Sequence, residues 1–365
     1  MAERERKPLP RKRLVFLIIN AVLLLAALIC FAAALLLPRR LSSQQAAMRW
    51  QGESGERFSQ VSCYIPVDEK ITLDQAFRFR SDAMTRLSGA SLELDGELRL
   101  YVDAWCTTGK LKAVTALGNT DAAVIAVGGD FFQFHPLRLL SGSYIAEGDL
   151  MQDRVLLDED LAWLLFGGTD LEGMTIDLNG NPFLVAGVVE RERDFASRKA
   201  YTAGMGLYMS YDAYAAMTEG AGINCYELVM AEPVKGFAVN FVREKFPIGH
   251  GEILENSTRF TVGRLLGLIG KFGSRSMQTL GVVYPYWENA ARCVEDWCSM
   301  LLTLGMLLVA LPLATAVLYL VRLLARGKEK LEDDWLPAAK DRAEEAVRVR
   351  QRRRWEKKHG LHEKR

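Results

Sequence analysis

Apolar residues are arranged along this chain in three ways: two long unbroken runs, several short alternating stretches, and helical stripes between them. Residues 14–37 are free of charge and apolar apart from Asn20, and residues 299–320 form a second such block, charge-free until Arg322. Each exceeds the roughly 18 residues that argue for a membrane span. The first block follows Arg11-Lys12-Arg13, as the apolar core of a secretory leader would. At 24 residues it is longer than the usual leader core of about 7–15, and Leu35-Leu36-Leu37 continue the run past the small residues Ala32-Ala33-Ala34. It reads as an uncleaved signal anchor.

Between the two blocks the pattern is that of a mixed domain. Residues 58–66 alternate and predict a strand. Residues 73–88 carry apolar side chains at 73, 76, 77, 84 and 87 and predict a helix. Alternating runs on either side of Asp95-Gly96 predict a hairpin, and 114–117 and 122–127 continue strand and loop. At 154–159 a short apolar run bounded by charge reads as a strand entering a helix. The helical spacing of 160–166 stops at Gly167-Gly168, and Asn179-Gly180 between 174–178 and 183–189 predicts a second hairpin. Further on come a short helix capped by Ser210 and running to about Met217, a strand at 225–230, a helix at 233–246 and a last strand at 252–255. Strand, helix and hairpin repeated with variation define an α+β domain.

Several of these residues together resemble the periplasmic core domain of MacB-like ABC transporter permeases. They are Asp130-Phe131-Phe132, the Leu-Leu-Ser-Gly ending at Gly142, Val155-Leu156-Leu157-Asp158, Leu161-Ala162-Trp163 through Phe166-Gly167, Gly173, and Val185-Ala186-Gly187-Val188-Val189. The resemblance implies two mixed subdomains, one inserted in the other roughly within 128–195, and a scaffold without catalytic residues. Asp130, Phe131, Phe132, Gly142, Phe166, Gly167, Gly173 and Gly187 are accordingly the structural motif positions, the glycines serving turns and packing.

Charge orients the chain. Residues 1–13 carry net +4 and residues 326–365 net +5; with Arg322 set aside, the intervening 14–321 carry −9. The basic ends predict that both termini are cytoplasmic and that the central domain is extracytoplasmic. An acidic central domain offers no electrostatic case for nucleic acid. The resulting division is a basic N-terminus at 1–13, a first span at 14–37, the core domain at 38–259, a juxtamembrane segment at 260–298, a second span at 299–324 and a charged tail at 325–365. In the juxtamembrane segment, apolar positions 262, 265, 266, 269 and 272 define a helical face for a membrane surface or a partner. Four glycines weaken that helix by about 1 kcal/mol each, and Tyr284, Tyr286 and Trp287 are placed as interface aromatics. Pro312 is expected to bend the second span, and Arg352-Arg353-Arg354 in the tail to attract anionic lipid.

Six cysteines stand at 30, 63, 106, 225, 293 and 298 without metal-type spacing, and a bridge between Cys63 and Cys106 is the expected pairing on an oxidising side. Nucleotide chemistry lacks its loop: at Gly270-Lys271 the hydroxyl residue is replaced by Phe272 and the first glycine by Leu265. There is no G-x-S-x-G and no H-E-x-x-H. His135 reads as structural, Asp130 as a turn or helix starter, and Asp158 and Glu159 as solvated. No residue is assigned to catalysis, a cofactor or a metal.

The resemblance implies a permease-like membrane subunit that couples its outer domain to a separate ATPase or full-length permease, for export or mechanotransmission, in contact with membrane lipid and within a homo- or hetero-oligomer. Such permeases continue with two further spans where this sequence has a charged tail, so a half-permease or transmission subunit is expected. The alternative is a two-span binding, sensing or scaffold protein acting without an ATPase. An anchored hydrolase lacks a nucleophile–base pair.

Overall fold

Fourteen residues of near-continuous strand, Tyr101–Val114, and the eleven that follow at Asn119–Gly129 form the longest pairing in the domain, and the other strands are laid down on either side of it. The computed structural model describes residues 10–89, 99–146, 148–201, 203–272, 274–275, 281–330, 333 and 335–358. The hairpin expected around Asp95-Gly96 lies largely outside these residues. In chain order the elements begin with α1 (Arg11–Leu36), two 3-10 turns and α2 (Ala46–Gln51), then β1 (Phe58–Tyr64), α3 (Leu73–Ser88), β2 (Tyr101–Val114) and β3 (Asn119–Gly129). Next come α4 (Phe131–Phe134), β4 (Leu139–Gly142), β5 (Arg154–Asp158), α5 (Glu159–Phe166), β6 (Thr175–Leu178), β7 (Asn181–Val189), α6 (Ser197–Ala200) and β8 (Gly206–Ser210). The chain then forms α7 (Tyr211–Met217), β9 (Cys225–Ala231), α8 (Phe237–Lys245), β10 (Glu252–Glu255), a 3-10 turn at Asn256–Thr258, α9 (Val262–Leu266), α10 (Tyr286–Lys330) and α11 (Leu336–Lys358).

Local chemistry explains many of the boundaries. Thr72 and Gln75 form a capping box that starts α3. The Asp158 side chain accepts from Leu161 N at 2.7 Å to start α5, and Gly167 ends that helix in the left-handed region at φ 75°. Asn179 and Gly180 both take positive φ, 52° and 89°, as the tight β6–β7 turn requires. Ser210 precedes α7, but its side chain makes no cap hydrogen bond.

The strands form one sheet in the order β10-β1-β9-β2-β3-β8-β5-β7-β4, with β6 pairing β2 and β7. Pairing is antiparallel except for β3–β8 and β5–β7. The sheet carries two hydrophobic cores. The larger gathers β1, β2, β9, α3, α8, α4 and the start of α10; the smaller gathers β3, β5, β6, β7, β8, α5 and α7. The fold is therefore α+β. The strands expected in two mixed subdomains share a single sheet, and its smaller core also takes residues from outside 128–195, among them Leu111, Val124 and Met209.

Three expectations change in the structure. In α3 the buried residues are Ala76, Phe79, Ala83 and Leu87, whereas Phe77 and Met84 stay exposed. The rings of Phe241, Phe246 and Tyr226 surround Phe79 and turn the helix onto that stripe. Of the amphipathic helix expected on positions 262 to 272, only α9 forms, because Gly267 follows it and Gly270 lies at φ 89°, outside helical space. The second apolar block lies inside a 45-residue helix that starts at Tyr286, and Tyr284, Tyr286 and Trp287 are buried in the larger core instead of lying at a membrane interface. Pro312 lies inside that helix.

The chain parts into two compact units, residues 30–303 and residues 1–29 with 304–365. The second unit holds the apolar lengths of α1 and α10, both long and apolar enough to cross a membrane. Leu14, Leu25 and Leu28 on α1 and Leu307, Leu318 and Tyr319 on α10 are exposed, which suits hydrocarbon and not water. There Thr315 Oγ1 donates to Asn20 Oδ1 at 3.1 Å, so the polar residue of the first apolar block has an interhelical partner.

Candidate functional site

Pro285 lacks an N–H that a helix would waste, and its carbonyl accepts from Glu288 N and Asn289 N, both at 3.1 Å, which starts α10. From there Glu288, Arg292, Glu295 and Ser299 recur four, three and four residues apart and share one helix face. All four are buried, as are the apolar Ala290, Ala291, Val294 and Cys298 between them. Charged side chains can occupy such a place only if their partners are supplied by the rest of the fold.

The partners come from β1, β10 and the segment after it. Glu288 is 0% exposed and accepts from Arg259 Nη1 at 2.6 Å, Arg259 Nη2 at 2.7 Å, Arg292 Nε at 2.6 Å and the Tyr64 hydroxyl at 3.0 Å. Arg259, 3% exposed, also donates through Nε to Glu295 Oε1 at 2.8 Å and through Nη1 to Gln44 Oε1 at 3.2 Å. Arg275 Nη2 reaches Glu295 Oε2 at 2.8 Å. Arg292 donates to Glu252 on β10, which also accepts from Tyr284, and its guanidinium lies 3.7 Å from the Tyr284 ring centroid. Three guanidinium groups thus meet three carboxylates, with a fourth, Asp296, 3.9 Å from Arg275. Burial by itself would lower the Arg259 pKa. The charges of Glu288 and Glu295 outweigh it and hold the group above its ordinary value, so it stays cationic.

A second polar chain reaches the same helix from the same face of the sheet, since its Ser62 lies two residues before Tyr64 on β1. Glu227 on β9 pairs with His135 Nε2 at 2.5 Å and accepts from Ser62 Oγ at 2.6 Å. Asn256 Nδ2 donates to Ser62 Oγ at 2.7 Å, three residues before Arg259. The His135 ring lies 4.2 Å from that of Trp287 in the first turn of α10. His135 is therefore a buried strut between sheet and helix, the structural part expected of it.

The eight motif residues fall in three places. Asp130 precedes α4 and accepts from Gln133 Nε2 at 2.7 Å and Arg99 Nη2 at 3.1 Å. Phe131 packs against His135 and, at 5.6 Å, Trp287, so this part of the motif abuts the foot of α10; Phe132 stacks on Tyr144 at 4.8 Å. Gly142 and Gly187 are paired across β4 and β7. Phe166, Gly167 and Gly173 lie around the smaller core, Gly173 at φ 80° with its N–H donating to Val185 O at 2.8 Å. Asp158, expected in solvent, is 6% exposed because its second oxygen accepts from Gly206 N at 2.6 Å and joins α5 to β8. Burial pushes its carboxyl up to about 6, against the pull of those two N–H donors.

The Cys63–Cys106 bridge is overturned. Both thiols are free, and β9 lies between their strands. Two strand spacings of about 4.8 Å exceed the Cα separation a disulfide spans. Cys106 is instead opposite Cys225. Among the described residues no group of three or more His, Cys, Asp or Glu could hold a metal ion.

The Arg259–Glu288 network was not anticipated from the sequence. Its trace there is the recurrence Glu288, Arg292, Glu295, Ser299 among alanines and valine just before an apolar block. A charged stripe reads as a solvated face unless the buried arginine opposite is known.

Residues 58–239 match the model of the MacB-like periplasmic core domain. No curated protein matches the chain. Among solved structures, the periplasmic region of MacB from Actinobacillus actinomycetemcomitans is 19% identical, with 55% of this chain and 89% of that chain covered, at a TM-score of 0.38. The extracellular domain of the noncanonic ABC-type transporter YknZ from Gram-positive bacteria is 14% identical, with coverage of 52% and 92% and a TM-score of 0.36. A domain of a putative permease protein from Porphyromonas gingivalis is 12% identical, with coverage of 55% and 88% and a TM-score of 0.32. The matched model describes a domain of ABC-transporter-type permeases, and two apolar helices flank it here. This chain is a MacB-like periplasmic core domain protein.

Proposed function

We propose that the protein is an integral membrane subunit of an ABC-transporter-type assembly, in which the outer domain and a separate ATPase or permease partner are mechanically coupled through α10. The observation that carries this reading is the continuity of α10. Its first turns are locked into the domain by Arg259, and the same unbroken helix goes on to supply the apolar residues of the second span. Glu288 and Glu295 in those first turns hold Arg259, and through it the segment that follows β10. In this reading residues 14–37 and 299–324 lie in the membrane, both termini are cytoplasmic, the intervening domain is extracytoplasmic, and the protein works in export or mechanotransmission.

Purification of the tagged protein from native membranes in mild detergent, with mass spectrometry of what accompanies it, tests the proposal. A stoichiometric ATPase, with or without a longer permease, is the expected result. Recovery without any ATPase, under conditions that preserve a known ABC complex from the same membranes, would favour a sensing or scaffold protein instead.

A further inference from the structure

Read as membrane spans, α1 and α10 cross in opposite senses, because one folded domain joins them, and the start of α1 and the end of α10 lie on one side. The hydrogen bond from Thr315 to Asn20 fixes their level. Arg13 stands seven residues before Asn20 and Arg322 seven residues after Thr315, so each is about 10 Å along its helix axis from that contact. Arg11 and Lys12 adjoin Arg13, and Arg326 lies one turn beyond Arg322 on the same helix face. All five cations are exposed, and none forms an ion pair among the described residues. No Asp or Glu occurs between residues 10 and 52 or between 297 and 328. Next to the cations, Leu14 and Val15 on α1 and Leu318, Leu320 and Val321 on α10 are exposed.

Like charges four residues apart on a helix repel, so Arg322 and Arg326 are costly neighbours as they stand. An anion set between them removes that cost, and a guanidinium meets a phosphate with two parallel hydrogen bonds. At the edge of an apolar span the bilayer itself supplies the phosphate, with acyl chains beside it for the apolar residues. Phosphatidylcholine offsets its phosphate with a choline cation, whereas an anionic phospholipid keeps the charge. We propose that this end of the helix pair binds one anionic phospholipid of the leaflet on the side of the termini. Arg322 and Arg326 hold its phosphate, and Arg11, Lys12 and Arg13 add to the field that attracts it. The inference rests on the reading of α1 and α10 as membrane spans and is independent of any ATPase.

Native mass spectrometry of the full chain in detergent, titrated with phosphatidylglycerol or phosphatidylcholine of identical acyl chains, tests this. The first phosphatidylglycerol should bind about tenfold more tightly than the first phosphatidylcholine, as one to two contacts between lipid and cation imply. Arg322→Gln combined with Arg326→Gln should lose most of that preference. Arg322→Lys should keep part of it, since an ammonium retains the charge without the fork. Arg39→Gln combined with Arg40→Gln, beyond the other end of α1 where Arg40 shares a recess with Glu192 and Asp194, should leave it unchanged. Inorganic phosphate should not displace the lipid, because it brings no acyl chains. Equal binding of the two lipids, a parent-like preference in the Arg322 and Arg326 double variant, an equal loss in the Arg39 and Arg40 variant, or displacement by phosphate would overturn the site. Release of the chain from membranes by alkaline carbonate would overturn it by removing the spans themselves, an outcome distinct from equal lipid binding.

Discussion

Arg259 holds Glu288 through two parallel hydrogen bonds of 2.6 and 2.7 Å, and neither side chain is more than 3% exposed. The pair ties the turn after β10 to the first turn of a helix that continues for a further forty residues. Because Arg259 also holds Glu295, one guanidinium spans two turns of α10. A buried pair of this kind adds little net stability over a well-packed apolar pair, but it is strongly intolerant of losing one member.

Arg259→Ala should accordingly destabilise the domain by about 3–5 kcal/mol, since it strips the bidentate partner from buried Glu288 and leaves Glu288 and Glu295 with only Arg292 and Arg275. Arg259→Lys should recover only part of this, because an ammonium cannot reproduce the fork geometry. The double variant Arg259→Ala with Glu288→Ala should cost less than the two single changes summed. Thermal unfolding of the solubilised full chain measures all three, and simple additivity would contradict the network.

The two glycines paired across β4 and β7 should be far less replaceable than the glycine of an open turn. At Gly142 a Cβ would come within 2.0 Å of Ala186 O at φ 72°, and at Gly187 within 2.4 Å of Ser141 O. At Gly173 nothing lies within 4 Å, and only the positive φ of 80° opposes a side chain. Gly173→Ala should therefore cost about 1–2 kcal/mol, and Gly142→Ala or Gly187→Ala about 3 kcal/mol or more. Equal melting temperatures for the three variants would sink this ordering.

Asp158 makes stability depend on pH in an unusual direction for a carboxylate. Its folded pKa of about 6 lies above the ordinary 3.8, so the native protein binds more protons than the unfolded chain between those values. The stabilisation is complete below about pH 4 and is lost as pH rises through about 6, by at most about 3 kcal/mol. Asp158→Asn should lack this component. Melting curves from pH 4 to 7 for parent and variant should diverge across that window, and parallel curves would count against it.

Mild oxidation of the folded protein followed by peptide mapping should yield no Cys63–Cys106 linkage, because a strand separates them. Any linkage among the three sheet thiols should join Cys106 and Cys225, which face each other. Its yield should be low, since burial first, and then the neighbouring Cys106 and Glu227, hold the Cys225 thiol well above its ordinary pKa.

The parts legible from sequence are those whose cause is local. Asn179-Gly180 makes its turn because two adjacent residues tolerate positive φ. Residues 73–88 form a helix because Thr72 and Gln75 cap each other. The misreadings share a different cause. Phe77 counted as core from its position in a helical stripe, but Phe241 and Phe246, more than 160 residues away in sequence, chose Phe79. Tyr284, Tyr286 and Trp287 read as interface aromatics from their place before an apolar block, yet they find Tyr64, Tyr201 and His135 in the domain core.

The sequence by itself determined the alternation of elements, the two apolar helices and the family to which residues 58–239 belong, because periodicity, caps and turn residues act over a few positions. Only the tertiary structure decided that Glu288, Arg292 and Glu295 are interior groups and not a solvated face. Whether a charge can leave water depends on the partner brought to it, and Arg259, Glu252 and Tyr64 reach the first turns of α10 only once the sheet has formed.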